Sequence, residues 1–135
     1  MDEVQDIRWK QRFQNFTRAF TLLQQAISID TPSEVERAGL IQFFEMSFEL
    51  AWKLLKDYLE AEGFNITSPR DALKQAFQAH LLEDGHTWID ALQDRNLITH
   101  TYDEATAIAV ENKIRSAYYP ILARLHQDFS ARIQE

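Results

Sequence analysis

Trp9, Phe13, Phe16, Phe20, Leu23 and Ile27 recur in alternating steps of four and three along the first part of the chain. That alternation keeps all six on one face of a helix for about three heptads. It predicts a helix over residues 3–28. Arg8, Lys10, Gln11, Arg12, Gln14 and Arg18 take the other faces, and an aromatic stripe at this spacing reads as bundle core. A second apolar face, Ile41, Phe44, Phe48, Ala51, Leu55 and Tyr58, follows in a segment that runs to about Ala61 and stops at Gly63, a residue suited to a left-handed helix end. Phe43, Leu50, Trp52, Leu54 and Leu59 widen that face, so this helix is either central or meets a second subunit on one side.

The punctuation between helices is clear. In SIDTPSEVE, Thr31 suits a helix cap, Pro32 the first helical position, and Glu34 completes a capping box. In NITSPR, Ser68 and Pro69 open a short helix over about 70–80. Glu83, Asp84 and Gly85 form a loop, and a fourth helix starts near His86 with Trp88, Ala91 and Leu92 facing inward. The last pattern spans about 103–133, with Val110, Ile114, Ala117, Ile121, Leu125, Phe129 and Ile133 as its stripe. Pro120 falls inside it and is expected to kink or interrupt it, having no N–H for the carbonyl four residues back. No strand-like alternation and no internal repeat occurs. The pattern therefore predicts an all-α protein: one domain over 1–135, an antiparallel helical bundle of four long helices plus a short one, with the last helix kinked at Pro120.

Composition narrows the functional classes. At 135 residues, 45% hydrophobic and 26% charged, the chain suits one globular core. No run reaches the ~18 apolar residues of a membrane span, and the start MDEVQDIRWKQRF has no signal-peptide core. With no cysteine there is no disulfide framework and no thiol chemistry, and a cytoplasmic, membrane-free protein is expected. A net charge of −7 argues against broad nucleic-acid binding, which needs clustered Lys and Arg. A small local site or a basic partner stays open.

Two features carry candidate chemistry. On the second helix Gln42, Glu45, Glu49, Lys53 and Lys56 share one stripe, read either as a solvated face with a Glu49–Lys53 pair or as the wall of a cleft. The stretch DRNLITHTYDE, Asp94 to Glu104, is the second. On one continuous helix Arg95 and His100 would lie about 140° apart, so they share a pocket only if the helix ends between them or a second subunit contributes one. Thr101 followed by Glu104 predicts such an ending by a capping box. Arginine binds phosphate through a planar, permanently charged fork. Histidine exchanges protons near neutral pH. No DxD and no Cys/His cluster is present, so neither a metal nor another cofactor is expected. His80, His86 and His126 read as exposed or core-satisfied.

The pattern Arg95–Asn96–x3–His100–Thr101–Tyr102 resembles the R-N-x3-H-x-Y signature of HEPN proteins, and within them the HepT-like branch, also called nucleotidyltransferase substrate-binding proteins. The likeness extends over FFEMSFELAWKLLKDYLEAEG, SPRDALKQAF, the W-x3-L-x2-RN-x3-H-TYD junction and the final helix. It implies a small all-α bundle that forms a homodimer with its Arg/His sites in a cleft near the dimer axis, and a minimal nucleotidyltransferase as partner. Some such proteins are toxins that cut RNA without metal and are silenced by that partner, as in a toxin–antitoxin pair; others are described only as substrate-binding subunits, for which the ligand here would be a nucleotide. By the same likeness Arg95 would hold the scissile phosphate and His100 act as general acid and base. Asn96 would orient the phosphate or His100, and Tyr102 would accept an adenylyl group. Glu45 and Glu49 are candidates to face the cleft and restrain Arg95.

Overall fold

The computed structural model describes residues 3–135, apart from the side chains of Asn96 and Leu97. Helices α1 (Glu3–Ile27) and α2 (Glu34–Ala61) form a long hairpin, followed by α3 (Pro69–Gln78) and α4 (Gly85–Asp94). A 3-10 segment, Arg95–His100, leads to α5 (Glu104–Lys113), a π turn (Ile114–Tyr118) and α6 (Tyr119–Arg132). Among the described residues there is no strand, and no helix is long and apolar enough to cross a membrane. The all-helical bundle is as the patterning predicts.

The stripes pack against each other. Trp9, Phe13, Phe16, Phe20 and Leu23 of α1 are buried, as are Ile41, Phe44, Phe48, Ala51 and Leu55 of α2 and Ile114, Ile121, Leu125 and Phe129 of the final helical run. Trp9 meets Tyr58 and Phe129 edge-on, with ring centroids 5.2 Å and 5.8 Å away. Ring edges presented to ring faces in this way suit the aromatic quadrupole.

Two helix starts differ from the expected ones. The cap of α2 is Ser33, not Thr31: Ser33 Oγ accepts from the Glu36 N–H at 3.1 Å, and the Glu36 carboxylate accepts from the Ser33 N–H at 2.8 Å. Pro32 therefore lies ahead of the helix rather than at its first position. Ser68 does cap α3, with Pro69 at its start, and α2 closes with Gly63 in the left-handed region at φ 98°. In the last helical run regular α bonding gives way to the π turn ahead of Pro120 and resumes at Tyr119. What interrupts the run is this change of hydrogen-bond register, which falls ahead of Pro120. Proline at the second position of α6 has no α-type N–H to forfeit.

His126 is absorbed by the core. Its ring stacks on Phe20 and Phe13, with centroids 5.0 Å and 5.3 Å away, and Nε2 lies 3.1 Å from Thr17 Oγ1. Burial lowers its pKa from the ordinary histidine value. The folded state thus resists a proton that the unfolded chain takes up near pH 6.5, so stability must decline as pH falls below that value. Urea midpoints measured between about pH 7.5 and about pH 5.5 should fall with acidification, and His126→Gln should lose that component of the slope. Equal slopes in the two proteins would show that His126 is not its source.

A candidate phosphate site at a pinned helix junction

The α4–α5 junction is built from short-range bonds. Helix α4 ends at Asp94, ahead of both Arg95 and His100, so the expected ending between them is replaced by a tighter segment that carries both. Thr101 turns its N–H and its hydroxyl back to the Ile98 carbonyl at 3.3 Å and 2.8 Å, and the Asp103 N–H reaches the His100 carbonyl at 3.1 Å. Thr101 is thereby spent on the 3-10 turn, and the expected Thr101–Glu104 capping box does not form. Asp103 caps α5 instead, accepting from the Thr106 N–H at 3.3 Å and its hydroxyl at 2.8 Å.

Both flanks of the junction are pinned. Before it, the Asp94 carboxylate accepts a hydrogen bond from the Tyr118 hydroxyl. Burial raises the Tyr118 pKa, and the neighbouring Asp94 raises it further, so the phenol stays a donor. After it, the Arg37 guanidinium holds Glu104 and donates through Nε to Glu111 at 2.7 Å. Glu111 is 6% exposed and accepts a second guanidinium bond from Arg115 at 2.8 Å. Arg115 continues to the carbonyls of Ile27 and Ile29 at 2.8 Å and 2.7 Å. Burial alone would raise the Glu111 pKa; the bonds from Arg37 and Arg115 outweigh it and hold the carboxyl below its usual range.

Between these anchors the candidate side chains separate into two groups. Half-buried Arg95 pairs with Glu49 on α2, and Glu49 also accepts from Trp52 Nε1 at 2.8 Å. Glu45 is exposed and lines, with Gln42, Met46, Glu49 and Leu50, an open groove along α2. The expected Glu49–Lys53 pair is not among the ion pairs of the described residues. Lys53 Nζ lies 5.8 Å over the Trp52 ring, and Lys56 reaches Glu60 at 3.5 Å. At the other end His100 is exposed and its ring meets that of Tyr102 edge-on, with centroids 6.3 Å apart. Tyr102 is 86% exposed. The Asn96 side chain lies outside the described ones.

Among the described residues nothing bonds Arg95 to His100 or Glu45 to Arg95. At three residues per turn, positions five apart on a 3-10 segment still lie about 120° apart. His80 and His86 are exposed, and no group of three or more His, Asp or Glu among the described residues is placed to hold a metal. Sequence reasoning overlooked Tyr118, Glu111, Arg37 and Arg115. The available signal was Glu111 beside Val110 on an inward-facing turn and four residues before Arg115, a spacing that puts both on one face.

A family described as nucleotidyltransferase substrate binding protein like matches residues 11–131. The probable ribonuclease HepT of Haemophilus influenzae is 34% identical over 82 residues, which cover 57% of this chain and 56% of that protein. The chain thus matches a little over half the length of that curated relative. A crystal structure of a protein from Thermus thermophilus superposes with a TM-score of 0.74 at 34% identity, over 89% of this chain and 99% of that one.

If the guanidinium network sets the junction's downstream flank, Arg37→Ala should lower the urea midpoint, because it leaves the Glu111 carboxylate with Arg115 as its remaining guanidinium partner. Urea unfolding measures the loss, and an unchanged midpoint would show that Arg115 satisfies Glu111 unaided.

Proposed function

Because this chain belongs to the nucleotidyltransferase substrate-binding protein family, in the HepT-like branch of the HEPN proteins, we propose that it is the HEPN half of a two-protein, toxin–antitoxin-like module with a minimal nucleotidyltransferase. In this reading it is a metal-independent endoribonuclease acting through Arg95 and His100. The observation that carries it is the junction itself. Arg95 opens a 3-10 segment whose far end offers an exposed His100 and Tyr102.

Arg95 binds two non-bridging oxygens of the scissile phosphate, and Asn96 helps to orient it. Glu49, which now occupies the guanidinium, holds Arg95 extended over α2 until a phosphate takes its place, and Glu45 faces the same groove. Neutral His100 removes the proton of the ribose 2′-hydroxyl as its oxygen bonds to phosphorus. The bond to the 5′-oxygen breaks, and a protonated histidine returns a proton to that leaving oxygen. One chain supplies one histidine at this place, so a two-fold homodimer brings the second and completes the acid–base pair. The 120° offset of Arg95 and His100 within one chain favours the same arrangement. Silencing would follow when the partner transfers an adenylyl group from ATP to the Tyr102 oxygen with loss of pyrophosphate, a reaction that its exposure permits.

The second reading is a non-catalytic subunit that presents a nucleotide to the nucleotidyltransferase. The net charge of −7 favours it, since RNA-cutting surfaces are usually basic.

Expression of the chain alone separates the two. Wild type should degrade RNA in EDTA, and His100→Ala should be slower by about 10²–10⁴-fold. If neither protein cuts RNA, or both cut it equally, the ribonuclease reading fails. In the same preparation, the partner with ATP should add one AMP mass to wild type and none to Tyr102→Phe.

A further inference from the structure

Two stretches of the chain share one short pattern. DIRWK, residues 6–10, and ELAWK, residues 49–53, each set an acid three residues before a tryptophan and four before a lysine. On a helix both spacings return to the acid's own face, and an acid four residues ahead of a lysine is the favoured order for a pair. In α1 the pattern closes fully. Trp9 Nε1 donates to one Asp6 oxygen at 2.8 Å, Lys10 Nζ reaches the other at 3.0 Å, and the same ammonium lies 5.7 Å over the Trp9 ring. The bonds from Lys10 and Trp9 hold the Asp6 carboxyl below its usual range.

In α2 the pattern closes only in part. Trp52 Nε1 donates to Glu49 Oε2 at 2.8 Å, and Lys53 Nζ lies 5.8 Å over the Trp52 ring, much as in α1. The other Glu49 oxygen takes Arg95. Lys53 is half-buried, yet it forms no ion pair among the described residues. The difference has one source: Arg95 occupies the oxygen that local helix geometry offers to Lys53. When a phosphate takes Arg95, that oxygen is vacated, and a carboxylate that has lost its cation pulls Arg95 back unless another cation replaces it.

We propose that Glu49 changes partners when Arg95 takes a phosphate: the carboxylate keeps Trp52 and turns its second oxygen to Lys53, forming in α2 the triad that α1 already shows. The inference rests on the reading of Arg95 as the phosphate-binding group. It adds Trp52 as the pivot of the exchange and Lys53 as a positioning residue that acts through Glu49. Side-chain rotation is enough for it, since Lys53 is already folded over the indole that holds Glu49. Arg95 is thereby kept in place over the empty groove and released when a phosphate arrives.

Crystals of Arg95→Ala test the exchange without a ligand. Lys53 Nζ should lie within about 4 Å of the Glu49 carboxylate, the reach of an ion pair. A Glu49 that still leaves Lys53 alone overturns the proposal. The coupling to phosphate is read in the full chain by NMR titration with a 2′-O-methyl dinucleotide, whose single phosphate no 2′-hydroxyl can attack. Lys53→Met should weaken binding about two- to fivefold, the worth of such a pair, and Lys53→Arg should restore it. In a Glu49→Gln background Lys53→Met should change nothing. Equal weakening in both backgrounds overturns the proposal, because the lysine then acts on the phosphate directly. A wild type that binds no dinucleotide, with the Glu49–Lys53 pair formed in Arg95→Ala, overturns the phosphate reading of Arg95 and leaves the change of partner standing.

Discussion

Folding carries the Glu111 carboxylate almost entirely out of water, and the shape of the junction depends on how that charge is satisfied. Removing an ion from water costs several kcal/mol, which only close and well-formed bonds offset. Two guanidiniums supply them, and each is also committed elsewhere. Arg37 reaches Glu104 at the first turn of α5, and Arg115 reaches two carbonyls at the end of α1. Neutralising one carboxylate therefore fastens the α1–α2 connection, the start of α2 and the start of α5 to each other.

With Asp94 held by Tyr118 on the other flank, the ten residues from Arg95 to Glu104 are a bridge with both abutments fixed. A continuous helix over that span would bury some of these side chains against α2. A 3-10 segment followed by a turn instead lifts His100 and Tyr102 into solvent while leaving Arg95 low enough to touch Glu49. The exposure of the candidate groups and the rigidity of their supports thus have one origin. Reactive side chains on a short connection between fixed elements are positioned without being covered.

Much of this was legible from the residues. The α1 and α2 stripes were, because a period near 3.6 has few competing explanations. The Arg95, Asn96, His100 and Tyr102 pattern was legible as a motif, though its geometry was not. Both displaced caps slipped by two residues for one reason. TPSEVE contains Thr31–Glu34 and Ser33–Glu36, and THTYDEAT offers Thr101 and Asp103 as caps in overlapping registers, so local chemistry alone admits two starts. At the second of them the turn just before it chose: Thr101 closes on the Ile98 carbonyl three residues back, and Asp103 is left to cap α5. The Tyr118–Asp94 bond and the Arg37–Glu111 pair join residues 24 and 74 positions apart, a separation at which no window-based pattern speaks.

The π turn between α5 and α6 also sets how this chain can change in length. Each residue added to or removed from a helix rotates the part before it by about 100° relative to the part after it. Deleting one residue within Ile114–Tyr118 would restore plain α bonding, and it would swing α5 around its axis against α6. Glu111 would leave Arg37, and Tyr118 would leave Asp94. Relatives of different length should therefore vary in the loops, such as residues 62–68 or 79–84, and keep the irregular turn intact. In this molecule the place where helix geometry is least regular is the place where residue count is least free.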